Sequence, residues 1–277
     1  MKIFVIFFTL ALVAASSAYS VDECTFFRHI KPIERLNFLV CVINYELPPH
    51  INRVERFREE PINGVIVGDS EIVIDPSIIE NFPQLTHYAA LNHKVEVLKK
   101  ENLADLTALE GFDLASGNLK KIEFDSFQEM TKLRDVDFSN NKLEFIHPQL
   151  FTSLSNLEKL NLNDNQLMAL EVDTFANNKK LSTLKLQNNK ISFISPRALE
   201  NLYNLRELYL TGNKCINMDY KPPRIPQLRF VFAQQCKETN ELLEILNEKR
   251  AEAEGFDNNY EEIQDEDNVE ISTETFV

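Results

Sequence analysis

Between Leu133 and Asn213 the chain repeats itself every 24 residues. Leu133, Val136, Phe138, Asn141, Leu143, Ile146, Phe151 and Leu154 form one line. Adding 24 to each number gives Leu157, Leu160, Leu162, Asn165, Leu167, Leu170 and Phe175, and adding 24 again gives Leu181, Leu184, Leu186, Asn189, Ile191, Ile194, Leu199 and Leu202. A fourth line opens with Leu205, Leu208, Leu210 and Asn213 and then breaks off. The shared pattern is LxxLxLxxNxLxxIxxxxFxxL. Chance apolar periodicity would not also keep an asparagine in register. The LxLxx step alternates apolar and polar residues, which describes a short strand with one buried face. One unit cannot bury that face alone, so successive units stack into a solenoid with a parallel sheet along its inner curve. The asparagine stands where the chain leaves the strand, placed to satisfy backbone groups that stacking buries. Phe127, Phe151 and Phe175 fill the core near the outer curve.

At these residues the chain resembles the leucine-rich-repeat family in its 24-residue extracellular form. The resemblance implies an α/β solenoid: a leucine-rich-repeat horseshoe with a parallel β-sheet on the concave face and disulfide-bonded caps. Weaker copies extend it towards the N-terminus. Ile62, Val65, Val67, Ser70, Ile72 and Phe82 make a degenerate first copy. Leu85, Tyr88, Ala90, His93, Val95 and Leu98 make a second, and Leu109, Phe112, Leu114, Gly117, Leu119 and Ile122 a third. About seven repeats then span residues 62–213. His93 and Gly117 replace the asparagine, so those two turns need another partner.

Outside the repeats, residues 1–20 read as a secretory signal peptide, with Lys2 ahead of an apolar run from Ile3 to Ala15 and small residues after it. That run is shorter than the roughly 20 residues a membrane span needs, and no second one follows. The sequence therefore predicts a secreted, extracellular chain without a membrane span. Residues 21–61 are expected to cap the first coil, and residues 214–253 to cap the last. In the latter, Leu228, Phe230, Val231 and Phe232 suggest a closing strand. Leu242, Leu243, Ile245 and Leu246 lie at helical spacing after a capping Thr239 or Asn240, in a short helix that either closes the core, the reading favoured here, or offers an amphipathic face to a partner. The segment 254–277 is expected to be a disordered acidic tail. Ten acidic residues and no Lys or Arg fall in 251–277, so removing that segment takes the net charge from −14 to −4. An acidic chain of this kind lacks the basic footprint of a nucleic-acid binder.

The four cysteines permit three pairings. Cys41 and Cys215 flank some seven coils at a spacing of about 4.8 Å, on the order of 30 Å apart, whereas a disulfide needs Cα atoms within about 7 Å. The pairing predicted is Cys24–Cys41 and Cys215–Cys236. A metal site would need paired CxxC spacing with partner histidines, and the four cysteines show neither.

No catalytic constellation is apparent: HExxH and GxSxG do not occur, and no cofactor or metal is implied. Asp113, Asp135 and Asp137 converge on adjacent strands, a pattern open to a carboxylate pair or a cation site, but read here as a solvated acidic patch. Function is placed on the concave face. Its central column is Ala89, Asp113, Asp137, Asn161, Lys185 and Tyr209. His87, Gly111, Asp135, Lys159, Thr183 and Glu207 run on one side, and Leu91, Ala115, Ser139, Asn163, Gln187 and Thr211 on the other. Asp113, Asp137, Asn161, Lys185, Tyr209 and Leu91 are the candidate ligand-binding residues, with Leu91 and Tyr209 as apolar anchors. The charge changes sign along the face, which would orient a ligand of opposite polarity. The sequence holds no N-x-S/T glycosylation site, and Tyr260, followed by Glu261 and Glu262, suits sulfation.

The two-cysteine caps and the Phe82–Leu85 step are similar to small secreted leucine-rich proteins of insects, some of them assigned to innate immunity. This implies a non-enzymatic module that binds an extracellular protein ligand or receptor. Two rivals stand beside it: a self-associating matrix component, in which a homodimer is expected, and a hydrolase built on the aspartates.

Overall fold

The computed structural model describes residues 25–27, 39–43, 62–68, 82–103, 106–221 and 228–254. The predicted signal peptide, Cys24 and hence its pairing with Cys41, Tyr260 and the acidic tail beyond 254 lie outside the described residues.

The strands form where the alternating steps predict them. Along the chain, β1 (Thr25–Phe27), β2 (Leu39–Ile43), β3 (Ile62–Gly68) and β4 (His87–Leu91) come first. They are followed by β5 (Val97–Leu98), β6 (Gly111–Asp113), β7 (Lys121–Ile122), β8 (Asp135–Asp137) and β9 (Lys159–Asn161). The last are β10 (Ala169–Leu170), β11 (Thr183–Lys185), β12 (Phe193–Ile194), β13 (Glu207–Tyr209) and β14 (Asp219–Tyr220). The main sheet runs in the order β1-β2-β3-β4-β6-β8-β9-β11-β13-β14. It is parallel from β2 to β13, and an antiparallel strand closes each end: β1 on β2, β14 on β13. The register advances by one repeat per strand: Phe112 pairs with Val136, Val136 with Leu160, Leu160 with Leu184 and Leu184 with Leu208. Two small parallel ladders, β5–β7 and β10–β12, form a second line where each coil turns back.

The repeat leucines are buried from Leu109 to Leu210, apart from Leu199, which is partly buried against the same core. The rings of Phe127, Phe151 and Phe175 stack on one another with centroids 6.4 and 5.9 Å apart, as their 24-residue spacing predicts. The asparagine ladder also forms. Asn165 donates from Nδ2 to the carbonyl of Phe138 in the previous coil and to that of Leu162 in its own, and its Oδ1 accepts the Leu143 N–H. Asn141 makes the same set one coil before, and Asn189 and Asn213 one and two coils after. Ahead of each asparagine, and ahead of Gly117 in its place, the chain turns through a left-handed residue: Ser116, Asn140, Asp164 and Asn188 have φ between 54° and 59°, and Gly212 has φ 81°. Short polar residues and glycine tolerate that conformation best.

Where the asparagine is missing, a histidine replaces it from one coil back. His93 Nε2 donates to the Leu114 carbonyl at 2.8 Å. Its ring occupies the space beside Gly117, where a Cβ would come within 2.2 Å of Nε2. The two departures from the pattern therefore compensate one another. His87 lies over Gly111 in the same way.

The C-terminal region differs from expectation. The predicted closing strand is a helix, α1 (Leu228–Gln235). Leu228, Phe232 and Cys236 recur every four residues and turn one buried face onto the end of the repeat core, leaving Phe230 exposed. The Cys215–Cys236 disulfide ties that face to the last coil, with Cα atoms 5.0 Å apart. The second helix, α2 (Asn240–Ala253), is capped by Thr239, whose Oγ1 accepts the Leu242 N–H. It does not close the core end. Leu242 and Leu246 pack instead on Phe145, Met168, Ala169 and Phe193, a strip along the β10–β12 flank. The helix runs back across the coils. Arg250 bonds Glu171, Lys249 Nζ lies 2.8 Å from Glu144, and the Ala253 carbonyl accepts the Phe124 N–H.

Candidate functional site

The predicted central column exists in register: Ala89, Asp113, Asp137, Asn161, Lys185 and Tyr209 are direct cross-strand partners. From β8 to β13 the middle residue of each strand is buried and its two neighbours are partly exposed, so these positions face away from the core. The N-terminal part of the same face is buried. Ile66 is 0% and Ala89 1% exposed, and His87 is also buried. Leu91 is partly buried at the end of β4.

Asp113 corrects the expectation of a solvated acidic patch. It is only 6% exposed. Burial, reinforced by the neighbouring charge of Asp137, pushes its carboxyl up to about 8, although the Ala115 N–H bonded to it pulls the other way. Asp113 is therefore largely protonated at neutral pH. Burial likewise lowers His87 to about 4, against the pull of Asp135, so its imidazole is neutral.

The acidic and amide residues of the column do backbone work that the sequence reading did not anticipate. Where each strand ends, the N–H two residues on would lack a partner. Asp113 Oδ1 accepts it from Ala115, Asp137 Oδ1 from Ser139 and Asn161 Oδ1 from Asn163. Such side-chain-to-backbone bonds are characteristic of Asp and Asn. Lys185 cannot accept, and Asn163 Oδ1 takes the Gln187 N–H in its place. Tyr209 leaves the same gap. Asp219 of β14 fills it, accepting from both Leu210 and Thr211. The signal was present in the sequence: an Asp or Asn at the second position before each partly exposed residue, ceasing where Lys185 and Tyr209 stand.

Most of the remaining polar groups on the face are occupied. Asn161 Nδ2 donates to Asp137 Oδ2 at 2.8 Å, and Lys159 pairs with Asp135 at 2.8 Å. Glu207 accepts from Thr183. Among the described residues, the Lys185 ammonium and the Tyr209 hydroxyl have no hydrogen-bond or ion-pair partner. They are neighbours on adjacent strands, about 4.8 Å apart along the sheet, and both are partly exposed. No group of three or more His, Cys, Asp or Glu among the described residues could hold a metal ion.

The leucine rich repeat family model matches residues 107–167 and 155–214. No curated protein matches the sequence. Several solved structures share parts of the fold. A TLR13–ssRNA13 complex aligns at 23% identity over 56% of this chain and 26% of that one, with a TM-score of 0.45. The Drosophila Toll–Spatzle complex aligns at 22% identity over 55% and 24%, with a TM-score of 0.47. An internalin of Listeria monocytogenes aligns at 21% identity over 55% and 42%, with a TM-score of 0.45. The chain thus spans about a quarter of the first two and under half of the third. Ladder, core and family match together identify leucine-rich repeats over residues 107–214, built into a leucine-rich-repeat solenoid.

Proposed function

We propose that the protein is a secreted, non-enzymatic binding module that recognises an extracellular protein through the sheet face between Asp137 and Tyr209, in extracellular recognition of the kind used in innate immunity. One observation carries the placement. Lys185 and Tyr209 are the two column positions released from backbone capping, which Asn163 and Asp219 perform for them. A partly exposed tyrosine beside an unpaired ammonium suits a ligand that sets an apolar group over the ring and a carboxylate over Lys185. Asp137, two strands away and bonded only to neutral groups, suits a basic group of the same ligand.

The test is affinity capture from extracellular fluid with residues 21–277, followed by identification of the retained protein and its binding constant. Lys185→Ala with Tyr209→Ala is expected to weaken that binding at least tenfold while the circular-dichroism spectrum and melting temperature stay unchanged. Removal of residues 255–277, which leaves all of α2 in place, should have no effect. Undiminished binding by the double variant would move the interface elsewhere, and loss of binding with the tail would reduce the solenoid to a scaffold.

A further inference from the structure

Beneath α2, on the flank opposite the candidate protein-binding face, lies a cleft of 310 Å³ between the helix and the coils of β7 and Asn141. Lys120 and Lys121 come to it from β7 and its approach, Lys142 from the following coil and Lys249 from α2. Two carboxylates also line it, Glu144 and Glu252, and Lys249 engages both, at 2.8 and 3.7 Å. Lys120 is paired with Glu96 at 2.8 Å. Lys142 is different: its Nζ is held at 2.6 Å by the amide oxygen of Asn118, a neutral acceptor. Lys121 has no hydrogen-bond or ion-pair partner among the described residues. Two ammonium groups thus face the cleft without a bonded carboxylate. Ile122, Phe145 and Ala253 contribute apolar wall, which strengthens electrostatic attraction at the site.

We infer that this cleft is a binding site for an oxyanion of the sulfate or phosphate-ester class, held by Lys121 and Lys142 beside the C-terminal turn of α2. The amide-for-carboxylate arrangement recurs two coils on, where Lys190 Nζ is held by Gln166 Oε1 at 2.6 Å. Gln166 itself lines the cleft, so the cationic row continues past its mouth. An anion held there lies against the C-terminal turn of α2, which lines the cleft through Lys249, Glu252 and Ala253, and its binding to the folded chain raises the stability of that fold.

Isothermal titration and thermal melting at matched ionic strength test this with two probes, a trisulfated heparin disaccharide and inorganic phosphate. Binding of at least one probe, with a rise in melting temperature, is expected. Binding of the disaccharide alone assigns a sulfated saccharide, and binding of phosphate assigns the phosphate class. Lys121→Glu with Lys142→Glu should weaken binding at least tenfold, and Lys121→Gln with Lys142→Gln serves where charge reversal disturbs folding. Lys179→Glu, an exposed lysine outside the cleft, should stay within twofold of the parent. Absence of binding by both probes, or an equal loss in Lys179→Glu, would overturn the assignment.

Discussion

Asp113 occupies a column that alternation marks as outward-facing, yet its carboxyl is buried beside Asp137 and pushed up to about 8. The folded chain therefore binds a proton there that the unfolded chain, with an ordinary carboxyl, has released. This group's contribution to stability is greatest at low pH and falls as pH rises from about 4 through about 8, each unit of separation being worth about 1.4 kcal/mol. Asp113→Asn keeps an Oδ1 for the Ala115 N–H, as Asn161 does for Asn163, and abolishes the titration. Urea unfolding should show the variant on the order of a few kcal/mol more stable than the parent at pH 8 and nearly equal to it at pH 4. Parallel pH profiles would mean that Asp113 is hydrated in solution. The His93–Gly117 pair teaches a related lesson. Each residue departs from the asparagine pattern, and each makes sense only with the other, because the imidazole needs the volume that a Cβ at 117 would take.

Helix α2 is held less firmly than the coils it crosses. Its buried apolar contribution is Leu242, Leu246 and Ala253, on a flank that already has a complete core behind it. The polar contacts at its C-terminal end include two titratable groups. Burial raises Glu171, against the pull of Arg250. Burial lowers His147, against its hydrogen bond to Glu254. Its Nδ1 accepts the Gln149 N–H. Leu246→Ala removes the best-buried contact and should cost about 2–4 kcal/mol. The loss should be local. Hydrogen exchange is expected to lose protection over residues 240–253 while amides of β8, β9 and β11 keep theirs, and uniform loss across the sheet would show instead that α2 belongs to the same cooperative unit as the repeats.

As a whole the molecule is a row of coils, each touching mainly its two neighbours, so its ends govern its stability. At the C-terminal end three devices converge on the last coil: β14 pairing with β13, α1 covering the core, and the Cys215–Cys236 bond. The disulfide closes a loop with a sequence separation of 21, for which a stabilisation of about 3 kcal/mol is typical. Cys215→Ser with Cys236→Ser should lower unfolding free energy by about that amount and open the coil from Leu205 onward before the centre of the sheet. Simultaneous loss of protection along all the strands would reveal a more cooperative solenoid than nearest-neighbour packing implies.

The strands, their register, the phenylalanine stack, the asparagine ladder and the Cys215–Cys236 pairing were all legible in the sequence. A 24-residue period forces equivalent residues into the same environment, so one repeat, once understood, describes the next. The left-handed turns, at Ser116, Asn140, Asp164, Asn188 and Gly212, left a signal of short polar residues and glycine that the repeat pattern did not use. The Leu228–Phe232–Cys236 spacing already contained α1, but four apolar residues within five positions fit a strand equally well until the core end they cover is known. What escaped the period was whatever depends on contact between elements that do not repeat. The burial of Asp113, the use of Asp219 in place of a missing cap at Tyr209, the path of α2 along the flank and the lysine cleft beneath it all join residues with no fixed separation in the chain. Local pattern encodes which face of a strand is apolar. Only the folded packing decides which polar groups on the other face already have partners, and which, like Lys185 and Tyr209, have none among the described residues.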